Sequence, residues 1–292
     1  MCPIRSKIPD DEPGLSAGLA VLSGRQTGHA QADAGWVQKW VPFKGLSWVE
    51  MIGYEARTYR ERVHAGDLVS FHLVVRETDL WVGADRHLGD ETRDLVLDCR
   101  RQIENHISSH PEFAVSLSPV KDDPFAPPLI REMIRATRRL GVGPMASVAG
   151  AVAQYVATGL FRFSKQVIVE NGGDIFLKTS RPATVSIYAG LSPLSERFGL
   201  EIAVRQMPLG ICTSSGKVGH SLSLGIADAC CILSPSAILA DGAATALGNR
   251  VQRKEDLDRV ASWAARIRGI IGGVVIVDDR IAAWGDIELV KL

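Results

Sequence analysis

Three segments of the sequence combine residue types that could bind an anionic ligand or a metal ion. The first, residues 167–177, reads VIVENGGDIFL and places two glycines between apolar runs. Glycine adopts positive φ at little cost, so this pair predicts a tight turn between two strands. Its backbone N–H groups could also cradle a phosphate or the edge of a ring. The candidate binding residues are Glu170, Asn171, Gly172, Gly173 and Asp174.

The second segment, residues 210–221, reads GICTSSGKVGHS and begins as an apolar run that predicts a strand. Hydroxyl and amide donors at the end of a strand suit an anionic or polyhydroxyl ligand, although serine and glycine also form ordinary turns. His220 could transfer a proton near neutral pH or serve as a hydrogen-bonded structural residue. The candidate binding residues here are Thr213, Ser214, Ser215 and Gly216.

The third segment, residues 234–249, predicts a helix that Ser234 can cap. Asp241 and Gly242 lie in its middle although both are poor helix formers, and such local conflicts mark functional positions. Asp241 and Thr245 are four residues apart and therefore share one face of the helix. A carboxylate and a hydroxyl are hard oxygen ligands suited to Mg²⁺, whereas the alternative is an exposed aspartate on an alanine-rich helix.

Apolar periodicity identifies the elements that must position these segments. It predicts helices over residues 90–110, 129–141, 144–158, 235–247 and about 254–270. It predicts strands over residues 68–75, 80–84, 167–170, 175–178, 184–189, 201–205 and 226–233, with a hairpin around Asp278 and Asp279 near the C-terminus. Residues 77–79 are expected to form the first turn. Because helices interrupt antiparallel hairpins, the pattern predicts an α+β fold.

Composition excludes several classes of protein. The chain has 292 residues, of which 46% are hydrophobic, and its 33 basic and 33 acidic side chains cancel. This balance predicts a packed core and argues against disorder and against nucleic-acid binding. Neither a membrane span nor a secretory or lipoprotein signal is evident, so the expected location is the cytoplasm. The spacing of the five cysteines favours buried, reduced thiols.

The N-terminal residues differ in composition from the rest of the chain. Residues 1–45 are rich in glycine, serine, alanine and aspartate without lasting periodicity, which predicts a poorly ordered extension. Residues 46–292 are expected to form a single α+β domain. A homodimer is also expected, because the many small residues and an open sheet favour self-association.

The order of the three motifs, ENGGD, TSSG and ADGAAT, resembles the ApbE-like superfamily. Its best-known members are Mg²⁺-dependent FAD:protein FMN transferases. Residues 77–80, 141–153, 169–175 and 213–229 are similar to a cytoplasmic branch of this superfamily without a lipoprotein signal. The resemblance covers roughly residues 59–275.

The resemblance implies an ApbE-like fold, related to the T-fold, in which antiparallel sheets are backed by helices. It implies FAD bound beside Mg²⁺, with Asp241 and Thr245 as metal ligands and the ENGGD and TSSG turns around the dinucleotide. His220 is the implied catalytic base. The transferases place their histidine in an H-x-x-x-P context, whereas SLSLG follows His220 here.

Three functions are compatible with this resemblance. The protein could be an FMN transferase with an acceptor protein, or an FAD pyrophosphatase. It could instead be a flavin-binding module without catalysis. A third possibility is a sulfur-assimilation component that forms homocysteine on the same scaffold, as similar proteins in anaerobes suggest. Neither a nucleic acid nor a membrane is an expected partner.

Overall fold

A large antiparallel sheet forms the centre of the molecule. The computed structural model describes residues 67–216 and 224–292, together with the backbone of β1 (Gly18–Ala20). The sheet has eight strands in the order β11-β10-β9-β8-β5-β4-β3-β2. Their bounds are β2 (Val69–Val75), β3 (Thr78–Ala84), β4 (Val167–Asn171), β5 (Asp174–Lys178), β8 (Leu209–Ser214), β9 (Ala229–Ser234), β10 (Gly272–Val277) and β11 (Arg280–Gly285).

Helices cover one face of this sheet and bury an aliphatic core against it. Strand residues that alternate toward this face, such as Val82, Val169 and Ile232, belong to the core together with helical residues such as Val156 and Leu247. The helices are α1 (Gly89–Ser109), α2 (Glu112–Val115), α3 (Pro128–Leu140), α4 (Val148–Leu160), α5 (Ala237–Gly248) and α6 (Leu257–Ala264).

The opposite face packs against a smaller sheet of four strands in the order β1-β6-β7-β12. Its remaining strands are β6 (Ala183–Ser186), β7 (Phe198–Ile202) and β12 (Glu288–Lys291). A second core lies between the sheets, where Ile175 and Leu177 of the large sheet join Leu200 and Ile202 of the small one. The predicted α+β fold with antiparallel sheets backed by helices is therefore confirmed.

The predicted elements with the strongest periodicity are present. Helix α3 begins at Pro128, where a proline needs no N–H donor, and ends before Gly141, which has a φ of 78°. The third helix begins with a 3₁₀ turn at Pro144–Ser147 and continues as α4. Four of the predicted thiols, Cys99, Cys212, Cys230 and Cys231, are buried and free.

Several predicted boundaries are wrong, and each has a local cause. Thr78 and Asp79 lie in β3 and not in the turn, because the chain reverses at Arg76 and Glu77, where Arg76 has a φ of 54°. Residues 204–206 form a 3₁₀ helix, so the strand expected at 201–205 ends at Ile202. Helix α5 is capped by Ser236, which accepts from the Leu239 N–H at 3.3 Å, and not by Ser234.

The last predicted helix, at about residues 254–270, is also shorter than expected. A 3₁₀ turn at Lys254–Asp256 precedes α6, which ends at Ala264. The predicted N-terminal extension, residues 1–45, lies outside the described residues except for β1.

No single helix in the described residues is both long and apolar enough to cross a bilayer. One pair, Pro128–Leu140 with Pro144–Leu160, meets the length and composition criteria together but bends by 104° at its break.

Candidate functional site

The ENGGD motif forms the tight hairpin that its glycines predict. Asn171 pairs with Asp174 at the end of the β4–β5 ladder. Gly172 and Gly173 have φ values of 65° and 103°, a conformation in which other residues are strained. The Gly173 N–H donates to Glu170 Oε1 at 2.8 Å. This amide is therefore already engaged within the hairpin.

Strand alternation divides the motif between the two faces of the large sheet. Asp174 and Phe176 point toward the helices, as does Asn171 on the neighbouring strand. Glu170 alternates with Val169 and lies on the opposite face. The motif thus contributes two polar side chains, Asn171 and Asp174, to the helical side.

Helices α4 and α5 approach each other so closely that only glycine fits at position 150. A Cβ atom at Gly150 would lie 2.4 Å from the Ala237 carbonyl oxygen and 2.8 Å from Asp241 Cβ. The small residues of the third predicted helix are thus explained mainly by helix packing. The close approach places Asp241 at the N-terminus of α4.

Asp241 binds the first turn of α4. Its Oδ2 accepts the Gly150 N–H at 2.9 Å, and the Ala149 N–H also donates to its carboxylate. The Asn171 side chain donates to the Ala149 carbonyl oxygen at 3.1 Å. The positive end of the α4 dipole and two otherwise unpaired donors therefore hold the Asp241 carboxylate in place.

Strand β8 brings the TSSG motif to the same place. Its helix-facing side chains are Cys212 and Ser214, and the Thr213 N–H donates to Asp174 Oδ1 at 3.2 Å. The Thr213 hydroxyl contacts Cys231 on the other face of the sheet. The Ser214 Oγ is buried and has no hydrogen-bond partner among the described residues.

The charges at this position are poorly compensated. Burial raises the pKa of Asp241 to about 7, although backbone N–H groups oppose that shift. Burial and repulsion from Asp241 raise the pKa of Asp174 well above its usual value. Within the described part of the chain, neither carboxylate has an ion-pair partner.

We call this group of residues the acidic corner: Asp174, Asp241 and Ser214, with Thr245 one turn farther along α5. The Thr245 hydroxyl has no hydrogen bond to a described residue. The neighbouring carboxylates of Asp174 and Asp241 and the hydroxyls of Ser214 and Thr245 are oxygen donors of the kind that binds a hard divalent cation such as Mg²⁺. The structure thus brings Asp241 to Asp174, a second carboxylate that the sequence had assigned to ligand binding only.

The rest of the TSSG motif leads toward the C-terminal end of α5. The Gly216 N–H donates to the Ala227 carbonyl at 2.8 Å, so this amide too is engaged. A Cβ atom at Gly216 would lie 2.0 Å from the Gly225 carbonyl oxygen, which explains the glycine. The predicted base His220 lies in residues 217–223, outside the described residues.

Sequence reasoning missed two contributors to the acidic corner. Cys212 is buried, its thiol donates to the Ala237 carbonyl oxygen at 3.4 Å, and it also contacts the Asp174 carboxyl group. Gly150 supplies the N–H that holds Asp241. The alternation of β8 could have placed Cys212 on the same face as Ser214, whereas no local signal connects Gly150 with Asp241.

The described fold is shared with proteins of known structure. The described domain is similar to the apo flavinyl transferase ApbE of Pseudomonas stutzeri, with a TM-score of 0.51 and 13% sequence identity, over 74% of this chain and 94% of that one. At this identity the similarity shows a shared fold. Together with the family match given next, this fold makes the chain an ApbE-like superfamily member.

Sequence comparisons identify the family more narrowly. A family model described as "AbpE bacteria" matches residues 60–276, and the chain belongs to that family. It is 40% identical to a UPF0280 protein of Methanocella arvoryzae over 216 residues, which are 72% of this chain and 86% of the relative. It is 42% identical to a UPF0280 protein of Methanococcus maripaludis over 226 residues, 75% of this chain and 92% of the relative.

Proposed function

We propose that the protein binds FAD together with Mg²⁺ at the acidic corner and uses this complex for FMN transfer. One observation carries the proposal: the buried carboxylate of Asp174 and the part-buried carboxylate of Asp241 lie together, and no positively charged side chain among the described residues pairs with either. The flavinyl transferase named above has the same fold, which supports a flavin dinucleotide as the ligand.

The residues of the acidic corner have separate tasks in this proposal. Asp241 and Thr245 are the proposed Mg²⁺ ligands, and Asp174 and the Ser214 hydroxyl would supply further oxygen ligands. When bound, Mg²⁺ would neutralise the diphosphate and stabilise the charge that develops on its leaving oxygen.

The surrounding residues position these groups before the ligand arrives. Gly150 and Thr213 donate backbone N–H groups to the two carboxylates. Asn171 holds the Ala149 carbonyl and so helps to fix the first turn of α4. Such fixed donors need not reorganise during the reaction, which lowers its barrier. Asn171 is accordingly proposed as a positioning residue.

The proposed transfer is balanced in atoms and charge. An acceptor hydroxyl oxygen forms a bond to the FMN phosphorus, and the bond between that phosphorus and the bridging oxygen breaks. AMP leaves with the bridging oxygen, and the acceptor proton passes to a base, for which His220 is the sequence-based candidate. With water as the acceptor, the same step is FAD pyrophosphatase activity.

Two measurements test the proposal on the full-length protein. After EDTA treatment and dialysis, isothermal titration calorimetry measures uptake of Mg²⁺ and then of FAD, and chromatography measures AMP release. We expect Asp241→Asn and Thr245→Val to weaken Mg²⁺-dependent FAD binding by at least about tenfold, because each removes an oxygen ligand. Thr245→Ser keeps the hydroxyl and should retain binding.

The outcomes separate the remaining functions. If the protein binds FAD and releases no AMP, whether or not an acceptor is present, it is a flavin-binding module. Folded protein that takes up neither Mg²⁺ nor FAD would contradict the proposal. The described cysteines give no support to thiol chemistry, since burial raises the pKa values of Cys99 and Cys231 to about 12 and keeps both thiols protonated.

A further inference from the structure

A second group of metal-ligating side chains lies at the C-terminal end of α1. His106 and His110 are one helical turn apart, and Asp123 reaches them from the connection between α2 and α3. One ligand atom from each residue lies within 4.8 Å of the other two. None of these residues belongs to the acidic corner.

His106 gives this group its significance. Its exposed fraction is 7%, but its ring nitrogens are not sealed from solvent, because the residue lines a surface cavity. An imidazole held in this way can offer a ring nitrogen to a metal ion in the cavity.

Neighbouring groups orient the other two ligands. The Ser109 hydroxyl lies 3.1 Å from His110 Nδ1, and the Phe125 N–H donates to Asp123 Oδ1 at 2.9 Å. Contacts of this kind fix the rings and carboxylates that bind metals. The end of a helix also carries a partial negative charge, which favours a cation near His110.

We propose that His106, His110 and Asp123 bind a Zn²⁺ ion. Two imidazoles and one carboxylate suit zinc, whereas Mg²⁺ prefers oxygen ligands alone. Ligand bonds of about 2.0–2.1 Å in a tetrahedral site place ligand atoms about 3.4 Å apart, so small side-chain rotations would close the site.

The proposed site has an open coordination position. Three protein ligands leave a fourth position for water or a substrate atom, as in catalytic zinc sites. The three residues line a surface cavity of about 360 Å³, which leaves room for that fourth ligand. Arg101 lies on the wall of the cavity, where its guanidinium pairs with Asp98.

The test measures zinc bound to full-length protein stripped with EDTA and dialysed against a fixed zinc concentration. We expect His106→Gln, His110→Gln and Asp123→Asn each to lower zinc affinity by at least about tenfold. The matched controls His87→Gln and Asp122→Asn change exposed residues of the same types and should retain wild-type affinity. His110 and Asp123 are only part-buried, so their variants should remain folded.

Co²⁺ as a spectroscopic probe gives a second readout. Its visible d–d absorption should appear with the wild-type protein and disappear in the Asp123→Asn variant. The proposal would be overturned if the wild-type protein took up no zinc. It would also be overturned if the three ligand variants bound zinc as tightly as the wild type, or if the control variants lost as much affinity as the ligand variants. If Asp241→Asn were the only variant that lost zinc, the ion would belong to the acidic corner and the proposal would be overturned.

Discussion

At the scale of single residues, the surroundings of Asp174 and Asp241 favour the protonated form of both carboxyl groups. Burial raises the pKa of Asp241 to about 7 from an ordinary value of 3.8, and the nearby Asp241 charge adds to the same effect on Asp174. Between pH 3.8 and about pH 7, the folded state therefore binds more protons than the unfolded state. Its free energy of unfolding must fall as pH rises through that window.

The first prediction concerns this pH dependence. In EDTA, the wild-type free energy of unfolding should decrease by roughly 1–3 kcal/mol between pH 5 and pH 8 relative to the Asp241→Asn variant. The variant removes one titrating carboxyl and the repulsion that raises the pKa of Asp174. Urea denaturation at several pH values measures the difference.

A matched control for this experiment is Asp256→Asn. Backbone N–H groups lower the pKa of Asp256, so its charge is complete above pH 5 and the variant should keep the wild-type slope. Parallel curves for wild type and Asp241→Asn would show that Asp241 titrates normally. Added Mg²⁺ should flatten the wild-type curve, because protons and the cation compete for one carboxylate.

At the scale of elements, the contact between α4 and α5 sets the geometry of the acidic corner. Asp241 belongs to α5, and the N–H groups that hold it belong to α4. The spacing of these helices depends on the missing side chain at Gly150. Gly210 likewise lets the start of α5 lie close to strand β8, since a Cβ atom at position 210 would lie 2.4 Å from the Ala237 Cα.

The second prediction tests this contact with Gly150→Ala. The added methyl group must push α5 away, which we expect to cost about 1–3 kcal/mol of stability and to weaken Mg²⁺ binding. Urea denaturation and calorimetry measure the two effects. Gly248→Ala is the control, because its Cβ would lie 3.5 Å from Cys230 Cβ, an ordinary contact. Equal effects of the two substitutions would show that the spacing does not control the site.

At the scale of the whole molecule, the large sheet separates two cores with different tasks. The helical core contains the strand faces that carry the acidic corner. The core between the sheets contains residues such as Leu200, which is fully buried. The acidic corner thus depends directly on the first core and only through global stability on the second.

The third prediction uses this separation. Leu200→Ala leaves a cavity between the sheets and should lower the free energy of unfolding by about 2–5 kcal/mol. The Mg²⁺ affinity, measured by calorimetry at a temperature where the variant is folded, should equal that of the wild type. A reduced affinity in fully folded protein would show that the small sheet influences the acidic corner.

Much of the architecture is determined by local sequence. Helix α3 follows from its apolar periodicity, its initial proline and Gly141, and the β4–β5 hairpin follows from Gly172 and Gly173. Motif order was sufficient to indicate the ApbE-like superfamily. The strand that ends at Ile202 is shorter at its C-terminal end than predicted, because periodicity does not separate a short strand from the 3₁₀ turn that follows it. Helix α6 is shorter than predicted because a 3₁₀ turn replaces its first residues and the helix ends at Ala264.

In the candidate sites, too, some features follow from local sequence and others only from packing. The i, i+4 spacing placed Asp241 and Thr245 on one helical face, and strand alternation puts Asp174 on the helical side of its sheet. Only the tertiary structure brought Asp174 to Asp241, and Asp123 to the two histidines of α1. These residues are far apart in sequence, and their proximity results from the packing of whole helices on the sheet. Local periodicity determines which face a side chain occupies, whereas packing determines which other face it meets.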